Sequence, residues 1–214
     1  MDNFRIGDEF FLITHEGDTG RPRISRELAG AGLVAALIGE LILEERATID
    51  SGLVRLTGDT DTGEAASDFL ARSIVDQHAD HPVRTWIQNL GEIGYELITR
   101  RLVERGTLRR VQPRRKLGLA RGKDTFPSAD REAVEPGLWL NIVAVNPEQA
   151  DTQRRTLAGL LVAAGGESLL PAARERPGMR SALSDLAAEL PRDLTELVQG
   201  FRESVVTLSV SVRR

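Results

Sequence analysis

The spacing of the apolar residues predicts a mainly helical chain. Leucine, isoleucine and valine recur three and four positions apart over much of the 214 residues, which is the period of one helix face. Between Leu28 and Leu43 only Glu40 interrupts a run of apolar residues and glycines, so this segment is expected to form a central, buried helix. Pro22 and Ser25 precede it as start signals. Narrower amphipathic stripes predict surrounding helices at 69–75, 86–103, 157–162, 179–190 and 194–208.

Two segments have the pattern of β-hairpins. Residues 47–56 carry β-forming residues on both sides of a short turn, and residues 108–119 form a second candidate with Pro113 near its bend. The apolar run Phe10–Ile13 fits either a short strand or a helix. Apolar and hydroxyl residues alternate over 205–212, so the end of the chain is compatible with a strand as well as a helix.

Charge is strongly segregated along the chain. Residues 100–123 contain ten Arg or Lys and one acid, Glu104, a net charge of +9 in a chain whose net charge is −4. Segregation of this kind favours contact with an anionic surface. The segment begins on a predicted helix and continues into the second hairpin, so we expect a basic, protruding hairpin at about 107–126. The expected fold class is mainly α: a helical core surrounded by amphipathic helices, with two β-hairpins, in a single domain of residues 1–214.

Composition narrows the possible functions. Cysteine is absent, which excludes disulfides, thiolate metal sites and a cysteine nucleophile. No run of about 18 apolar residues is present, and the amino terminus lacks a basic region followed by an apolar run. We therefore expect a cytoplasmic protein that associates with membranes only peripherally. Aromatic residues make up 4% of the chain, too few for a base-stacking platform that binds single-stranded nucleic acid.

Motifs for catalysis or metal binding are weak. Gly30–Ala35 has the pattern G-x-G-x-x-A, with Asp50 twenty residues beyond Gly30, but a charged, helix-like segment precedes it where a dinucleotide fingerprint needs a strand. These glycines are therefore expected to serve helix packing. His78 and His81 lack a clear further metal ligand. The sequence predicts no enzyme activity, no cofactor and no metal site.

Five short motifs follow one another from about residue 5 to the carboxyl terminus. They are Gly32-Leu33 with Glu40-Leu41-Ile42-Leu43 and Arg46; Thr62-Gly63-Glu64 with Asp68; Trp86-Ile87 with Leu90; Leu102-Val103-Glu104-Arg105-Gly106-Thr107-Leu108; and Arg154-Arg155 with Leu157-Ala158. In this order they resemble the Golgi phosphoprotein 3-like family, including its bacterial, largely actinobacterial members. Each motif is short, and the specificity of the resemblance comes from their combination and order.

The resemblance implies a helical core with a protruding hairpin used for membrane contact and self-association, and hence a homo-oligomer. Eukaryotic members bind phosphatidylinositol 4-phosphate at Golgi membranes through a tryptophan and an arginine near the first core helix and two arginines on a later helix. This chain has Ser25, Val34, Glu92 and Tyr95 at those four positions. The resemblance therefore supports the scaffold more than the phosphoinositide pocket.

The basic segment supplies the candidate site. The residues expected to contact lipid phosphates are Arg100, Arg101, Arg109, Arg110, Arg114, Arg115 and Lys116. Leu117 and Leu119 are expected at the hairpin tip, for shallow membrane insertion or self-association. The predicted function is that of a peripheral membrane-binding adaptor on anionic lipid, with phosphoinositides among the candidate lipids.

Two other interpretations explain the same pattern. A helix followed by a basic hairpin is the shape of a winged-helix nucleic-acid binder, although the rest of the chain, at −13, would repel a polyanion. The third interpretation is a soluble oligomeric scaffold whose hairpin binds an acidic protein partner or another subunit.

Overall fold

The structure is a computed structural model that describes residues 4–58, 61, 63–77, 81–112, 115–116, 119–120, 124–129 and 137–211, with backbone alone at 115–116, 119–120 and 209–211. Its α-helices are α1 (Ile6–Thr14), α2 (Arg26–Leu43), α3 (Ala65–Asp76), α4 (Val83–Asn89), α5 (Gly91–Glu104), α6 (Leu138–Val143), α7 (Thr152–Ala164), α8 (Met179–Ala188) and α9 (Arg192–Ser211). Its strands are β1 (Ala47–Asp50), β2 (Leu53–Leu56), β3 (Arg115–Lys116) and β4 (Leu119–Ala120). Short 3₁₀ helices follow α6 and α7, at Pro147–Gln149, Glu167–Leu169 and Pro171–Arg174.

Helix α2 is the centre of the fold, as its dense apolar pattern predicts. It begins where Ser25 caps it, because the Ser25 hydroxyl accepts a hydrogen bond from the Leu28 N–H at 3.1 Å. Every residue from Ala29 to Leu41 is buried. Helices α1, α3, α4, α5, α7 and α9 pack against it, and α8 packs on α7. The predicted mainly α fold, with amphipathic helices around a helical core, is confirmed.

The glycines of α2 allow its neighbours to approach closely. A Cβ on Gly30 would lie 2.5 Å from the carbonyl oxygen of Gly91, and a Cβ on Gly32 would lie 2.3 Å from the ring of Phe10. Both positions are filled by other parts of the core, so neither glycine borders a space for a nucleotide. The packing interpretation of the G-x-G-x-x-A pattern is confirmed.

One predicted helix is two helices in the structure. The apolar stripe predicts a continuous helix over 86–103, but α4 ends at Asn89 and α5 begins at Gly91, with Leu90 capping both. The break lies where Gly91 meets the backbone of α2, since a Cβ on Gly91 would be 3.5 Å from the Ala31 nitrogen. The prediction was wrong because apolar periodicity does not report how closely two backbones approach.

The first hairpin forms as predicted. Strands β1 and β2 are antiparallel, with Ala47 opposite Leu56 and Asp50 opposite Leu53. Ser51 and Gly52 both have positive φ, at 54° and 78°, which is the backbone of a tight two-residue hairpin turn.

The second hairpin is longer than predicted, and its bend is elsewhere. Strand β3 pairs with β4, and isolated bridges join Val111 to Thr125 and Leu108 to Ser128. Because Arg115 pairs with Ala120 and Lys116 with Leu119, the paired strands continue beyond position 113, and the prediction of a bend near Pro113 was wrong. The side chains of Arg114, Arg115 and Lys116 lie outside the described residues, so the basic, protruding character of the hairpin stays a prediction.

Both ambiguous apolar segments are helical. Phe10–Ile13 belongs to α1, where all four side chains are buried. Helix α9 continues to Ser211, so the strand alternative for the end of the chain was wrong over its described part. Alternating apolar and hydroxyl residues are compatible with a helix here because Val205 and Leu208, three positions apart, both pack against the core.

Candidate functional site

The predicted site residues fall into three groups in the structure. Arg100, Arg109 and Arg110 are exposed, with 58% and 62% of the Arg100 and Arg110 side chains accessible. Arg101 is buried, with 6% of its side chain accessible. The side chains of Arg114, Arg115, Lys116, Leu117 and Leu119 lie outside the described residues.

Arg101 is the centre of an internal charge cluster. Its Nε donates to Asp8 at 2.8 Å, and its Nη1 donates to Glu40 at 2.9 Å and to Glu64 at 3.2 Å. Nη1 of Arg105 donates to the other carboxylate oxygen of Asp8 at 2.9 Å. These residues come from α1, α2, α5 and the start of α3, so the cluster connects four helices.

The charge cluster accounts for Glu40, the one charged residue in the apolar run of α2. Burial opposes the charge on Arg101, but Glu40, Asp8 and Glu64 outweigh this effect and raise the pKa of Arg101 above its usual value. Burial also tends to raise the pKa of Glu64, but the Ser67 backbone N–H and Arg101 together hold it below its usual value. The expectation that Arg101 meets an external anion is corrected, because the protein's own carboxylates occupy its donors.

A groove of about 530 Å³ lies on the outer face of α5. Arg26 enters it from the start of α2, Arg100 from α5, and Arg110 from the outgoing arm of the second hairpin. We call this the cationic groove after these three arginines; three carboxylates also line it, so its formal net charge is zero. Its remaining lining residues are Glu92, Ile93, Tyr95, Glu96, Thr99, Val103, Asp124 and Phe126.

Each arginine of the cationic groove has a carboxylate neighbour. Arg26 lies 3.6 Å from Glu92, Arg100 2.9 Å from Glu96 and Arg110 2.5 Å from Asp124. The side chains of Glu92 and Glu96 are about two-thirds exposed, so water competes for these pairs. Arg26 and Asp124 are less exposed, with 24% and 23% of their side chains accessible, so the Arg100–Glu96 pair is the most readily exchanged of the three.

Tyr95 fixes the position of Arg26. The guanidinium carbon of Arg26 lies 3.8 Å from the centre of the Tyr95 ring, a cation–π contact. The Nε of Arg26 is buried and has no hydrogen-bond acceptor in the described part of the chain.

His15 in turn fixes the position of Tyr95. The His15 ring is stacked on Phe11 at 3.8 Å, its Nδ1 lies 2.9 Å from the Phe11 carbonyl oxygen, and its Nε2 lies 3.0 Å from the Tyr95 hydroxyl. Burial lowers the pKa of His15 to about 4, so the ring is neutral at neutral pH. A neutral ring donates from Nδ1 to the carbonyl and accepts at Nε2 from tyrosine, which satisfies all three groups.

Phe126 separates the cationic groove from a smaller cavity of about 150 Å³, whose lining includes Ile13, Leu108 and Leu169. The returning hairpin arm is fixed there because the Ser128 N–H donates to the Gly17 carbonyl at 2.8 Å. Gly20 has φ +64°, and a Cβ on it would lie 2.4 Å from the Phe126 backbone. The loop between α1 and α2 therefore fixes one wall of the groove.

Ser25, Val34, Glu92 and Tyr95 are the positions at which the resemblance implies a difference from phosphoinositide-binding members. Glu92 and Tyr95 line the cationic groove, and Ser25 directly precedes Arg26. Val34 is buried beneath α5, where a Cβ on Gly94 would lie 2.6 Å from its Cγ2.

Sequence reasoning missed Arg26, Asp124 and Phe126. They lie outside the run 100–123 and meet it only through the fold, so charge density along the chain does not reveal them. Across the described residues, no group of three or more His, Asp or Glu side chains is arranged to hold a metal ion, and His78 lies outside that part of the chain.

The fold and the site define a class: a helical scaffold with an internal arginine–carboxylate cluster and a cationic groove beside a hairpin. The chain belongs to the Golgi phosphoprotein 3 (GPP34) family, whose sequence profile matches residues 6–203. The predicted family resemblance is confirmed. No curated protein matches the chain. Of the helices within the described ranges, none is both long and apolar enough to cross a bilayer.

Proposed function

We propose that this protein is a peripheral membrane-binding adaptor that docks on anionic lipid through the cationic groove and the basic hairpin. The observation that carries the proposal is the convergence of Arg26, Arg100 and Arg110 from three separate elements on one groove. This groove opens beside a hairpin whose sequence adds Arg114, Arg115 and Lys116. The rest of the chain is acidic and would be repelled by the same surface.

Lipid phosphates can exchange with the carboxylates in the groove at small cost. Exposed ion pairs contribute about 0–1 kcal/mol each, so separating Arg100 from Glu96 costs little. Arg110 is itself 62% accessible, so its guanidinium group can also meet a phosphate from the solvent side.

The expected binding is weak and reversible. Each basic residue near an anionic leaflet contributes about 1 kcal/mol, so Arg109, Arg110, Arg114, Arg115 and Lys116 together supply about 5 kcal/mol. Adding Arg26 and Arg100 raises this figure without selecting one lipid, because point charges attract any phosphate. We expect no preference for phosphoinositides beyond their charge.

The proposal extends to the organisation of the protein. Residues 1–214 would act as one domain and one adaptor, cytoplasmic and peripherally associated with the membrane, without catalytic activity or a bound cofactor. Leu117 and Leu119 would insert shallowly or join subunits of a homo-oligomer. Swapping both leucines for serine tests this role, and vesicle partitioning equal to that of the unchanged protein would contradict insertion.

The central test is co-sedimentation with vesicles of phosphatidylcholine alone and of phosphatidylcholine with 30% phosphatidylglycerol. We expect binding to the anionic vesicles only, with an affinity that falls as salt is added. The double variant Arg100→Glu/Arg110→Glu removes two cations worth about 1 kcal/mol each, so its affinity should fall at least about 30-fold.

A matched double variant, Arg84→Glu/Arg202→Glu, makes the same change in net charge at two exposed arginines outside the groove. Its binding should stay within a few-fold of the unchanged protein. Equal losses in both variants would mean that only net charge matters, and the groove would not be the site.

A parallel titration with duplex DNA tests the winged-helix interpretation. DNA binding with a steep salt dependence, together with no vesicle binding, would replace our proposal.

A further inference from the structure

Helix α6 and the turn after it expose an apolar patch. Leu138, Trp139 and Val145 are 44%, 37% and 54% accessible to solvent. Eight large hydrophobic side chains in the described ranges are exposed to this degree, and these three fall within eight consecutive positions. Their closeness along the chain sets them apart from hydrophobic side chains that are scattered singly over the surface. We call these three residues the α6 patch.

The α6 patch stands on a rigid base. Leu140 and Val143 of the same short helix are fully buried. Gly137 starts the helix with φ +80°, and a Cβ there would lie 2.5 Å from the Leu170 side chain and 3.4 Å from Ile13. Because these contacts fix α6 against the core, the partly exposed side chains of Leu138 and Trp139 keep a fixed place on the surface.

Trp139 has the surroundings of an interfacial tryptophan. The guanidinium carbon of Arg154 lies 5.0 Å from the centre of the Trp139 rings, and Arg154 also pairs with Asp151. Tryptophan prefers the boundary between water and lipid, where one end of the ring is apolar and the other is wet. An arginine against the ring allows the pair to meet phosphates above and acyl chains below.

Further arginines lie around the α6 patch. Arg155 donates to the carbonyl oxygen of Ala150 at 3.1 Å, and Arg176 donates to that of Asn141, within α6, at 3.4 Å. Both guanidinium groups therefore lie against the backbone of α6 or of the turn that follows it. The apolar side chains of the α6 patch suit the upper acyl region of an anionic bilayer, and the arginines around them suit its phosphate groups.

The size of the α6 patch favours a bilayer over a protein partner. A stable protein interface buries about 800 Å² on each partner, with about 20 or more residues on each side. Three partly exposed side chains provide only a small part of that area. Shallow insertion needs no matching surface, because each apolar side chain that leaves water contributes on its own.

We infer that α6 is a second membrane-contact element, which inserts Leu138, Trp139 and Val145 into the headgroup region of an anionic bilayer. This inference rests on the proposed docking to anionic lipid. It adds a site that the basic segment does not include.

The tryptophan content of the chain allows a direct test. Only two tryptophans are present, and Trp86 is buried, with 1% accessible. The emission of Trp139 is therefore obtained by subtracting the emission spectrum of the Trp139→Phe variant from that of the unchanged protein. The protein is added to vesicles of phosphatidylcholine with 30% phosphatidylglycerol, with and without phosphatidylcholine brominated near the top of its acyl chains. We expect this difference signal to shift to the blue and to lose at least half its intensity on the brominated vesicles.

Serine substitutions give a second measurement. Leu138→Ser/Val145→Ser should weaken binding to the anionic vesicles about tenfold. Phe69→Ser/Val75→Ser, on the similarly exposed face of α3, should leave binding unchanged. Circular dichroism and the urea midpoint should match the unchanged protein in both variants, since the altered side chains are exposed.

The outcomes separate this inference from the proposed function. Vesicle binding with an unshifted, unquenched Trp139 signal overturns the inference and leaves docking through the cationic groove intact. Loss of self-association in Leu138→Ser/Val145→Ser, with unchanged vesicle binding, assigns the α6 patch to a second copy of the chain and likewise overturns it. Absence of any binding to anionic vesicles overturns both proposals.

Discussion

The Nε of Arg101 lies 2.8 Å from Oδ1 of Asp8, although 93 positions separate the two residues in the sequence. Neither side chain reaches solvent to any extent, with 6% and 0% accessible. Charges are stable away from water only when opposite charges and hydrogen bonds compensate them. The contact therefore fixes α5 against α1, and each partner depends on the other.

Replacing Arg101 should cost far more than replacing its neighbour. Arg101→Met leaves the buried Asp8 with Arg105 as its remaining arginine partner and the buried Glu40 with Arg5. Because Arg101 makes the buried contacts to both carboxylates, its loss should lower the free energy of unfolding by about 3–5 kcal/mol. Arg100→Met loses one exposed pair with Glu96 and should cost less than about 1 kcal/mol. Urea denaturation of both variants measures the difference. Equal losses would contradict the role assigned to the charge cluster.

Glu9 should make stability fall as pH rises. Burial raises its pKa to about 7 from an unfolded value of 4.5, so the folded protein holds a proton that the unfolded chain releases. Stability is then lost as pH increases from 4.5 to 7, and the deficit stays constant at higher pH. Glu9→Gln removes this cost and should stabilise the protein by up to about 3 kcal/mol at pH 8.

The same Glu9→Gln variant should match the unchanged protein at pH 4.5, where Glu9 is already protonated in the fold. Thermal unfolding at both pH values gives the comparison. A constant difference at the two pH values would show that the effect comes from packing rather than from ionisation.

His15 should titrate far below the usual range of histidine. Burial lowers its pKa to about 4 from 6.5, so it contributes stability that is present above pH 6.5 and is lost as pH falls towards 4. The ring-proton signal of His15 in an NMR titration should stay unchanged between pH 8 and pH 5. A midpoint near 6.5 would mean that the ring is exposed and does not support Tyr95.

Gly30→Ala should destabilise the protein although alanine favours helices. Its Cβ would lie 2.5 Å from the Gly91 carbonyl, so α2 and α5 must separate, at a cost of about 1–3 kcal/mol. Gly178→Ala is the matched control, because a Cβ there meets no atom within 4 Å. Its free energy of unfolding should change by less than about 0.5 kcal/mol. A stabilised Gly30→Ala variant would show that helix propensity outweighs packing at this position.

Vesicles containing phosphatidylinositol 4-phosphate should bind the protein no more tightly than phosphatidylglycerol vesicles of equal surface charge. The reason is the chemistry at Glu92 and Tyr95, which place a carboxylate and a phenol, rather than cations, along the cationic groove. Flotation assays at matched surface potential provide the measurement. A preference above about fivefold would indicate a headgroup pocket that these residues do not predict.

The helical fold was predictable because its signals are local. The apolar density of α2, the cap at Ser25 and the turn at Ser51-Gly52 each act within a few residues of the chain. The break at Leu90 and the true bend of the second hairpin were not predictable in this way. Both depend on contacts between distant segments, such as Gly91 against Gly30 and Val111 against Thr125.

The candidate site was predictable only in part, for the same reason. Charge density identified Arg100 and Arg110, which line the cationic groove, but gave Arg101 the same weight. A run of basic residues does not show which of them turn inward. The lone Glu40 in an apolar helix was the available signal that one arginine turns inward. A buried carboxylate requires a cation, and an arginine on a helix packed against it can supply one.

Gly20 has a consequence for comparing related sequences. Its positive φ and the Phe126 backbone at 2.4 Å from any Cβ exclude every other residue type while the returning hairpin arm keeps this place. A related chain with a side chain at this position must therefore route that arm differently and border its groove with other residues. A glycine at the position of Gly20 can therefore be used as a criterion when genomes are searched for proteins whose groove is bordered in the same way.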